Sequence, residues 1–271
     1  MTTGTSQQPL VQRKKLTKDQ VNQFWLDGFL VIGKIFSENE IKYLREAYDR
    51  EFHPAHSDQI TIKPGRPSFR NLSSNSDDLE KKNNAGSQML QIMNMCERSL
   101  EYRELLYDVR LLDIVEDLIG PNIQLFHDQA LFKPAHLGGP IHWHQDNSYW
   151  KCTPPNLVSC WITLDQVDIH NGAMQFMPGS HRQSMGHNQA SEGSLLEASN
   201  PIDESKSIVV TLPAGGMTLH HCQTLHRTAP NATDRKRRAH AIHYMIPGTR
   251  KLDDQSNLEV SFSRPMLRMR I

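Results

Sequence analysis

The stretch GPIHWHQDNSYW, residues 139 to 150, places His142, His144 and Asp146 at alternate positions between a Gly-Pro turn and the rings of Tyr149 and Trp150. Two imidazoles and a carboxylate this close together are donors for a divalent transition metal. On a strand, successive members of such a set share one face and stand roughly 6 to 7 Å apart, so the outer two are too distant to meet on one ion. Two divisions follow. His142 with His144 forms the HxH opening of a cupin-like metal centre, which calls for a glutamate a few residues later, yet positions 147 to 150 are Asn, Ser, Tyr and Trp. His144 with Asp146 forms an HxD pair, which calls for a histidine on a later strand.

The segment PAGGMTLHHCQTLHRTAPNATDRKRRAHAIHY supplies candidates in His220, His221 and His226. His226 alone is followed at close range by a hydroxyl, Thr228, then by a PNATD turn and by Arg237 and Arg238. Two histidines and one carboxylate leave three adjacent positions open on an octahedral ion, the arrangement of non-haem iron(II) oxygenases. Two of those positions can chelate a 2-oxo acid and the third can take O₂. A neighbouring arginine and hydroxyl would then bind the far carboxylate of 2-oxoglutarate, the arginine with both of its donor edges. A strand sends Arg237 and Arg238 to opposite faces, and the sequence leaves open which one turns inward. Ala239 and Ala241 share the parity of Arg237 and leave room for a long side chain there.

HQD at 144–146, NGAMQFMPGSHR at 171–182, PAGGMTLHHCQTLHRTAPN at 213–231 followed by RRA, and LTKDQVNQFWLDGFLVI at 16–32 occur in one order, with an H-x₁₀-R spacing from His226 to Arg237. Together they resemble the phytanoyl-CoA dioxygenase family of iron(II)- and 2-oxoglutarate-dependent oxygenases, over about residues 16 to 247. The resemblance implies that His144, Asp146 and His226 hold iron(II) and that Arg237, helped by Thr228, pairs with 2-oxoglutarate. It further places Trp161 and Gln129 beside the cosubstrate. O₂ would be the oxidant, succinate and CO₂ the by-products, and the oxidation, most simply a hydroxylation, would fall on an unactivated C–H bond of a small-molecule metabolite or natural product. Where some members carry a lysine, this chain offers Gln88 or Gln91. Arg227 stands where many relatives have a small residue and is read, with Tyr149 and Trp150, as lining the substrate pocket. Asp146 is retained, whereas halogenating members replace it, which favours hydroxylation. The rival readings are a cupin-like metalloenzyme that does not use 2-oxoglutarate and a non-catalytic binding protein.

The elements that must position these residues divide into two textures. Thr17 with Gln20, and Ser37 with Glu40, form capping boxes before amphipathic runs, so helix, short strand and helix are expected, with Gly28 ending the first helix. Residues 53 to 86 are polar and without a period, and suggest a lid or a disordered segment. Helices are expected over residues 87–108 and 108–120, the second capped by Asp108 and stopped by Gly120-Pro121. From Asn122 the chain becomes short alternating runs separated by turns, interrupted by a polar loop at 183–206. This predicts a mainly β fold, a double-stranded β-helix or jelly-roll barrel over about 122–250, with the helical part, 16–121, packed outside it. Residues 16–271 are read as one oxygenase domain after a flexible leader, 1–15. NGAMQFMPGSHR is read as architectural, its glycines turning and Met174, Phe176 and Pro178 packing the barrel.

At 271 residues, with 30 basic and 30 acidic side chains, the chain carries no net charge that would argue for nucleic acid or an anionic membrane. No apolar run reaches membrane-spanning length, and MTTGTSQQPLVQRKK lacks the apolar core of a secretory signal. Cys96, Cys152, Cys160 and Cys222 show no CxxC spacing. Reduced thiols and a cytoplasmic location are the expectation.

Overall fold

Thr17 accepts a hydrogen bond from the Gln20 amide while the Gln20 side chain accepts from Thr17 N–H, and Ser37 and Glu40 repeat the exchange. These boxes start α1 (Lys18–Asp27) and α2 (Glu38–Glu51) in a computed structural model that describes residues 15–52, 69–73, 88–190 and 195–270. Gly28 ends α1 at φ 84°, where a Cβ would lie 2.4 Å from His181 Nδ1. No other residue fits that turn without moving the ring. Strand β1 (Phe29–Lys34) lies between the two helices.

Beyond them come β2 (Phe69–Asn71), β3 (Leu90–Met93), α3 (Leu100–Leu105), α4 (Val109–Ile119), β4 (Ile123–Lys133) and β5 (Ile141–His144). The chain continues through α5 (Asn147–Trp150), β6 (Cys152–Thr153), β7 (Val158–Thr163), β8 (Met174–Phe176), β9 (His187–Gln189) and β10 (Leu196–Ala198). It finishes with β11 (Ile208–Val210), β12 (Gly216–His221), β13 (His226–Thr228), β14 (Arg237–Met245), β15 (Arg250–Lys251) and β16 (Met266–Arg268). The proposed lid at 53–86 falls outside the described residues except for β2 and the turn after it.

Two antiparallel sheets form the jelly roll. The larger runs β1-β12-β7-β14-β4-β3-β2 with β16 beside β4, and the smaller runs β11-β8-β13-β5. One core lies outside the large sheet, where Phe24, Ile41, Leu44, Tyr48 and Leu111 of the helices meet Val158, Cys160, Ile162, Ile242 and Tyr244 of the strands. Each such apolar side chain contributes about 1.5–3 kcal/mol on burial. A second core lies between the sheets, built on Leu131, Trp161, Met174, Phe176 and Val210. Gly172 at φ 93° lets the NGAMQFMPGSHR turn pass against Lys133, and Met174 and Phe176 are buried as the packing role requires.

The helix expected over 87–108 is instead β3, a short 3-10 turn at Met95–Glu97 and α3. Its apolar residues fit either period. Pairing with β4 decides the outcome, because Leu90 to Met93 lie opposite Phe132 to Gln129 and are covered on both faces. The polar loop at 183–206 contains a small hairpin, β9 paired with β10. No helix among the described residues is long and apolar enough to cross a membrane.

Glu40 ties α2 to α4 through Arg110, at 2.6 Å. Burial works against its charge, but hydrogen bonds from Arg110 and Ser37 prevail and hold its pKa at about 2. A folded-state pKa below the unfolded one gives stability that is present above the usual carboxylate range and lost as pH falls through about 2. Glu40→Gln is therefore expected to lower stability at pH 7 by about 1 kcal/mol or less, given the partial exposure of the pair. In urea unfolding the gap between native and variant closes on acidification. A gap that is independent of pH would contradict this.

Candidate active site

Across the large sheet, residues of one parity face the smaller sheet. Strand partners set them in rows: His127, His243, Ser159 and His220 form one, and Met93, Gln129, Ala241 and Trp161 the next. Over these rows lies a cavity of about 290 Å³, whose walls also include Gln91, Tyr149, Trp150, Thr228 and Arg237.

At the floor of the cavity His144 and His226 face each other as strand partners on β5 and β13, their ring centroids 4.2 Å apart. Asp146 follows β5 in helical conformation, φ −53° and ψ −40°, opening α5. That bend turns its carboxylate back toward the imidazoles. One ligand atom from each of His144, Asp146 and His226 lies within 4.8 Å of the others, and all three residues are buried. Asp146 Oδ1 stands 3.6 Å from His144 Nε2 and 3.7 Å from His226 Nε2. Nδ1 of His144 donates to His142 C=O and Nδ1 of His226 to Thr224 C=O, each at 2.8 Å, because a carbonyl only accepts. Both Nε2 lone pairs therefore point inward, fixed as metal-ligating histidines require. Burial opposes the charge of Asp146, but His226, His144 and His220 outweigh it and hold the carboxyl well below its usual range. Burial, then His144, keeps His226 neutral. An ionised carboxylate and neutral imidazoles are the donor set that suits a divalent ion.

Arg237 is 1% exposed on the same cavity wall, its guanidinium 5.6 Å from the Trp161 ring. One nitrogen donates to Leu131 C=O at 3.4 Å, while Nε and Nη2 have no partner, and neither does the nearby Thr228 hydroxyl. Burial lowers the Arg237 pKa to about 10, which leaves it charged at neutral pH. Among the described residues no carboxylate pairs with it. Beside it Lys133, whose pKa burial and then Arg237 hold well below the usual lysine range, donates to the Gly139 and Ala229 carbonyls at 2.5 and 2.6 Å. A buried cation without an anion is costly, so this end of the cavity is built for one. Arg238 faces the other way and is bound by Asp165 at 2.6 Å and Asp49 at 2.8 Å, so Arg237 is the inward member of the pair.

Two residues depart from where the spacing put them. A register irregularity between β5 and β13 pairs Thr228 with Ile141 rather than with His142. His142 is thereby turned off the His144 face and stands 3.9 Å from Glu197 on the far side of β5. The HxH division has no common centre to serve. Arg227 alternates outward between His226 and Thr228, ion-paired with Glu204 at 2.5 Å over the Trp143 ring, and lines a separate cavity of about 320 Å³. It therefore does not line the cavity above the triad. Tyr149 and Trp150 do, Tyr149 accepting from Leu196 N–H at 2.6 Å and Trp150 packing on His243. Gln91, not Gln88, faces the cavity, bonded to Gln129. Gln129 in turn donates to His243 Nε2 at 2.9 Å. His127, Ser159 and His243 escaped the spacing argument, although their parity with Gln129, Trp161 and Ala241 on the same strands marks them as inward-facing.

Residues 24–239 match the phytanoyl-CoA dioxygenase family profile. The chain is 31% identical over 180 residues to a probable alpha-ketoglutarate-dependent hypophosphite dioxygenase of Stutzerimonas stutzeri, covering 61% of this chain and 60% of that protein. It is 24% identical over 249 residues to the phytanoyl-CoA dioxygenase of Arabidopsis thaliana, covering 84% and 88%. Among solved structures it resembles a non-heme alpha ketoglutarate dependent epimerase from nogalamycin biosynthesis, with a TM-score of 0.72, 22% identity and coverage of 93% of this chain and 98% of that one. A protein from Micromonospora carbonacea var. aurantiaca complexed with 2-oxoglutarate is similar at a TM-score of 0.64 and 24% identity, covering 89% and 95%. The structural likenesses establish the jelly-roll fold, and the family match adds the chemistry for which the cavity has the donors: the chain belongs to the phytanoyl-CoA dioxygenase family of iron- and 2-oxoglutarate-dependent oxygenases.

Proposed function

We propose that the protein hydroxylates an unactivated C–H bond of a small-molecule metabolite or natural product, with His144, Asp146 and His226 as the iron(II) ligands. The observation that carries this reading is the convergence of those three donors within 4.8 Å at the floor of a cavity that also holds an unpaired Arg237. Bound iron(II) would supply activation of O₂ coupled to oxidation of 2-oxoglutarate to succinate and CO₂. The rest falls to the chain. Arg237 and Thr228 would hold the distal carboxylate of 2-oxoglutarate, with Trp161 beneath the guanidinium. Tyr149 and Trp150 would border the substrate, and the apolar wall of Leu131, Met174 and Ile141 would keep water from the reacting atoms. We further infer that residues 16–271 act as one catalytic unit, since a single apolar cluster joins the helices to the large sheet. Four buried free cysteines suit the cytoplasm.

The relative named as a probable hypophosphite dioxygenase makes small oxyanions a first group to screen, beside natural products such as those of nogalamycin biosynthesis. With Fe(II), 2-oxoglutarate and O₂ supplied, a true substrate raises succinate formation above the uncoupled rate and gains one oxygen atom per succinate. A protein that binds both cofactors and forms no succinate, coupled or uncoupled, would overturn the reading.

A further inference from the structure

The two oxygens of Asp146 have different surroundings. Oδ1 faces the imidazoles of His144 and His226. Oδ2 accepts from the Ser159 hydroxyl at 2.9 Å and lies 3.2 Å from His220 Nε2. Behind Ser159 the bonds continue: His243 Nδ1 lies 2.7 Å from Ser159 Oγ, and His243 Nε2 lies 2.9 Å from the Gln129 amide nitrogen. Gln91 donates to Gln129 Oε1 and itself borders the cavity.

Donor and acceptor types give this chain one direction. An amide NH₂ only donates, so His243 Nε2 accepts and the ring proton sits on Nδ1. His243 then donates to Ser159, which leaves the single Ser159 proton for Asp146. Burial disfavours a charged His243, consistent with one ring proton. Every bond from Gln91 to the carboxylate therefore points the same way, across β3, β4, β14 and β7, whose register aligns His243 with Ser159, and β12 beside them sets His220 opposite Ser159.

We propose that Ser159, His243 and His220 are positioning residues that occupy Oδ2 of Asp146 and so present Oδ1 alone to the metal, with Gln129 and Gln91 fixing the polarity of the relay from the cavity side. The proposal rests on Asp146 being a metal ligand. A carboxylate confined to one ligating oxygen leaves coordination positions free for a chelating cosubstrate, and partners in the outer shell typically tune affinity by about 10–100-fold.

The test is anaerobic titration with Co(II) alone, followed by its visible absorption bands, in the native protein and in Asp146→Ala, Ser159→Ala, Ser159→Thr and His243→Phe, with near-ultraviolet circular dichroism to check packing. Ser159→Ala and His243→Phe are expected to weaken Co(II) binding by about 10–100-fold and to shift the bands, and Ser159→Thr, which keeps the hydroxyl, to restore both. Native-like affinity and bands in Ser159→Ala and His243→Phe, with Asp146→Ala inactive in binding, would overturn the relay while leaving the metal assignment intact. Native-like binding by Asp146→Ala would overturn both. Should a variant fail to fold, ¹⁵N spectra of the histidines in the native protein decide the matter, since a proton on His243 Nε2 would reverse the chain and refute it.

Discussion

His226→Ala is expected to leave a folded protein that no longer retains iron(II) and makes no succinate. His226 supplies one of the three converging donors, and its Nε2 is aimed by a bond from Nδ1 to Thr224 C=O rather than by the metal. Loss of an outer-shell partner already costs about 10–100-fold in metal affinity, so loss of the ligand itself is expected to exceed about 100-fold. The neutral, buried ring carries no ion pair that packing depends on, and the variant should retain the native circular dichroism spectrum. His142→Ala provides the contrast. With His142 on the outer side of β5 beside Glu197, its removal is expected to leave iron binding within about twofold of native, because nothing at the cavity floor changes. Equal losses in the two variants, read by metal titration, would return the HxH division to consideration.

Arg237→Met is expected to separate folding from cosubstrate binding. In the free protein the guanidinium is buried, with Nε and Nη2 unpartnered, so its replacement by an apolar side chain of similar length removes a desolvation cost. Thermal stability of the cofactor-free variant should equal or exceed native. In the bound state the same guanidinium would meet a carboxylate, and truncating one partner of a buried, hydrogen-bonded charge pair costs about 2–5 kcal/mol. The 2-oxoglutarate dissociation constant is thus expected to rise at least about 30-fold. A saturating ligand raises stability in proportion to the logarithm of its concentration over Kd, so 2-oxoglutarate should raise the native melting temperature and leave the variant nearly unmoved. Arg238→Met behaves oppositely: it breaks the buried Arg238 pairs with Asp165 and Asp49, which keep only Arg45 and Lys236, lowers stability, and spares 2-oxoglutarate affinity.

The sequence was most informative where local chemistry and pattern agreed. Capping boxes at Thr17 and Ser37, the stop at Gly28 and the helix from Asp108 to Gly120 were legible because caps are local interactions. The barrel strands were legible from alternation and turns. Residues 87–108 were not, since a strand covered on both faces loses its period and only the partner β4 distinguishes it from a helix. In the cavity, His144, Asp146 and His226 were named from donor type and motif order, whereas the relative facing of His142 depended on a bulge that no spacing reveals. Parity along β14 correctly grouped Arg237 with Ala239 and Ala241, and extending it by one step would have reached His243. Arg227, between His226 and Thr228 on β13, turns to the other side of the strand, a facing that alternation alone indicates.

The three donors and Arg237 are expected to form one iron and 2-oxoglutarate site. Anaerobic titration of the metal-free protein with Fe(II) and then 2-oxoglutarate, monitored for the visible charge-transfer band of the chelate, tests it most directly. A band is expected that saturates at one chelate per chain, is absent in His226→Ala and demands far more 2-oxoglutarate in Arg237→Met. Iron binding by the native protein with no such band at any 2-oxoglutarate concentration would contradict it.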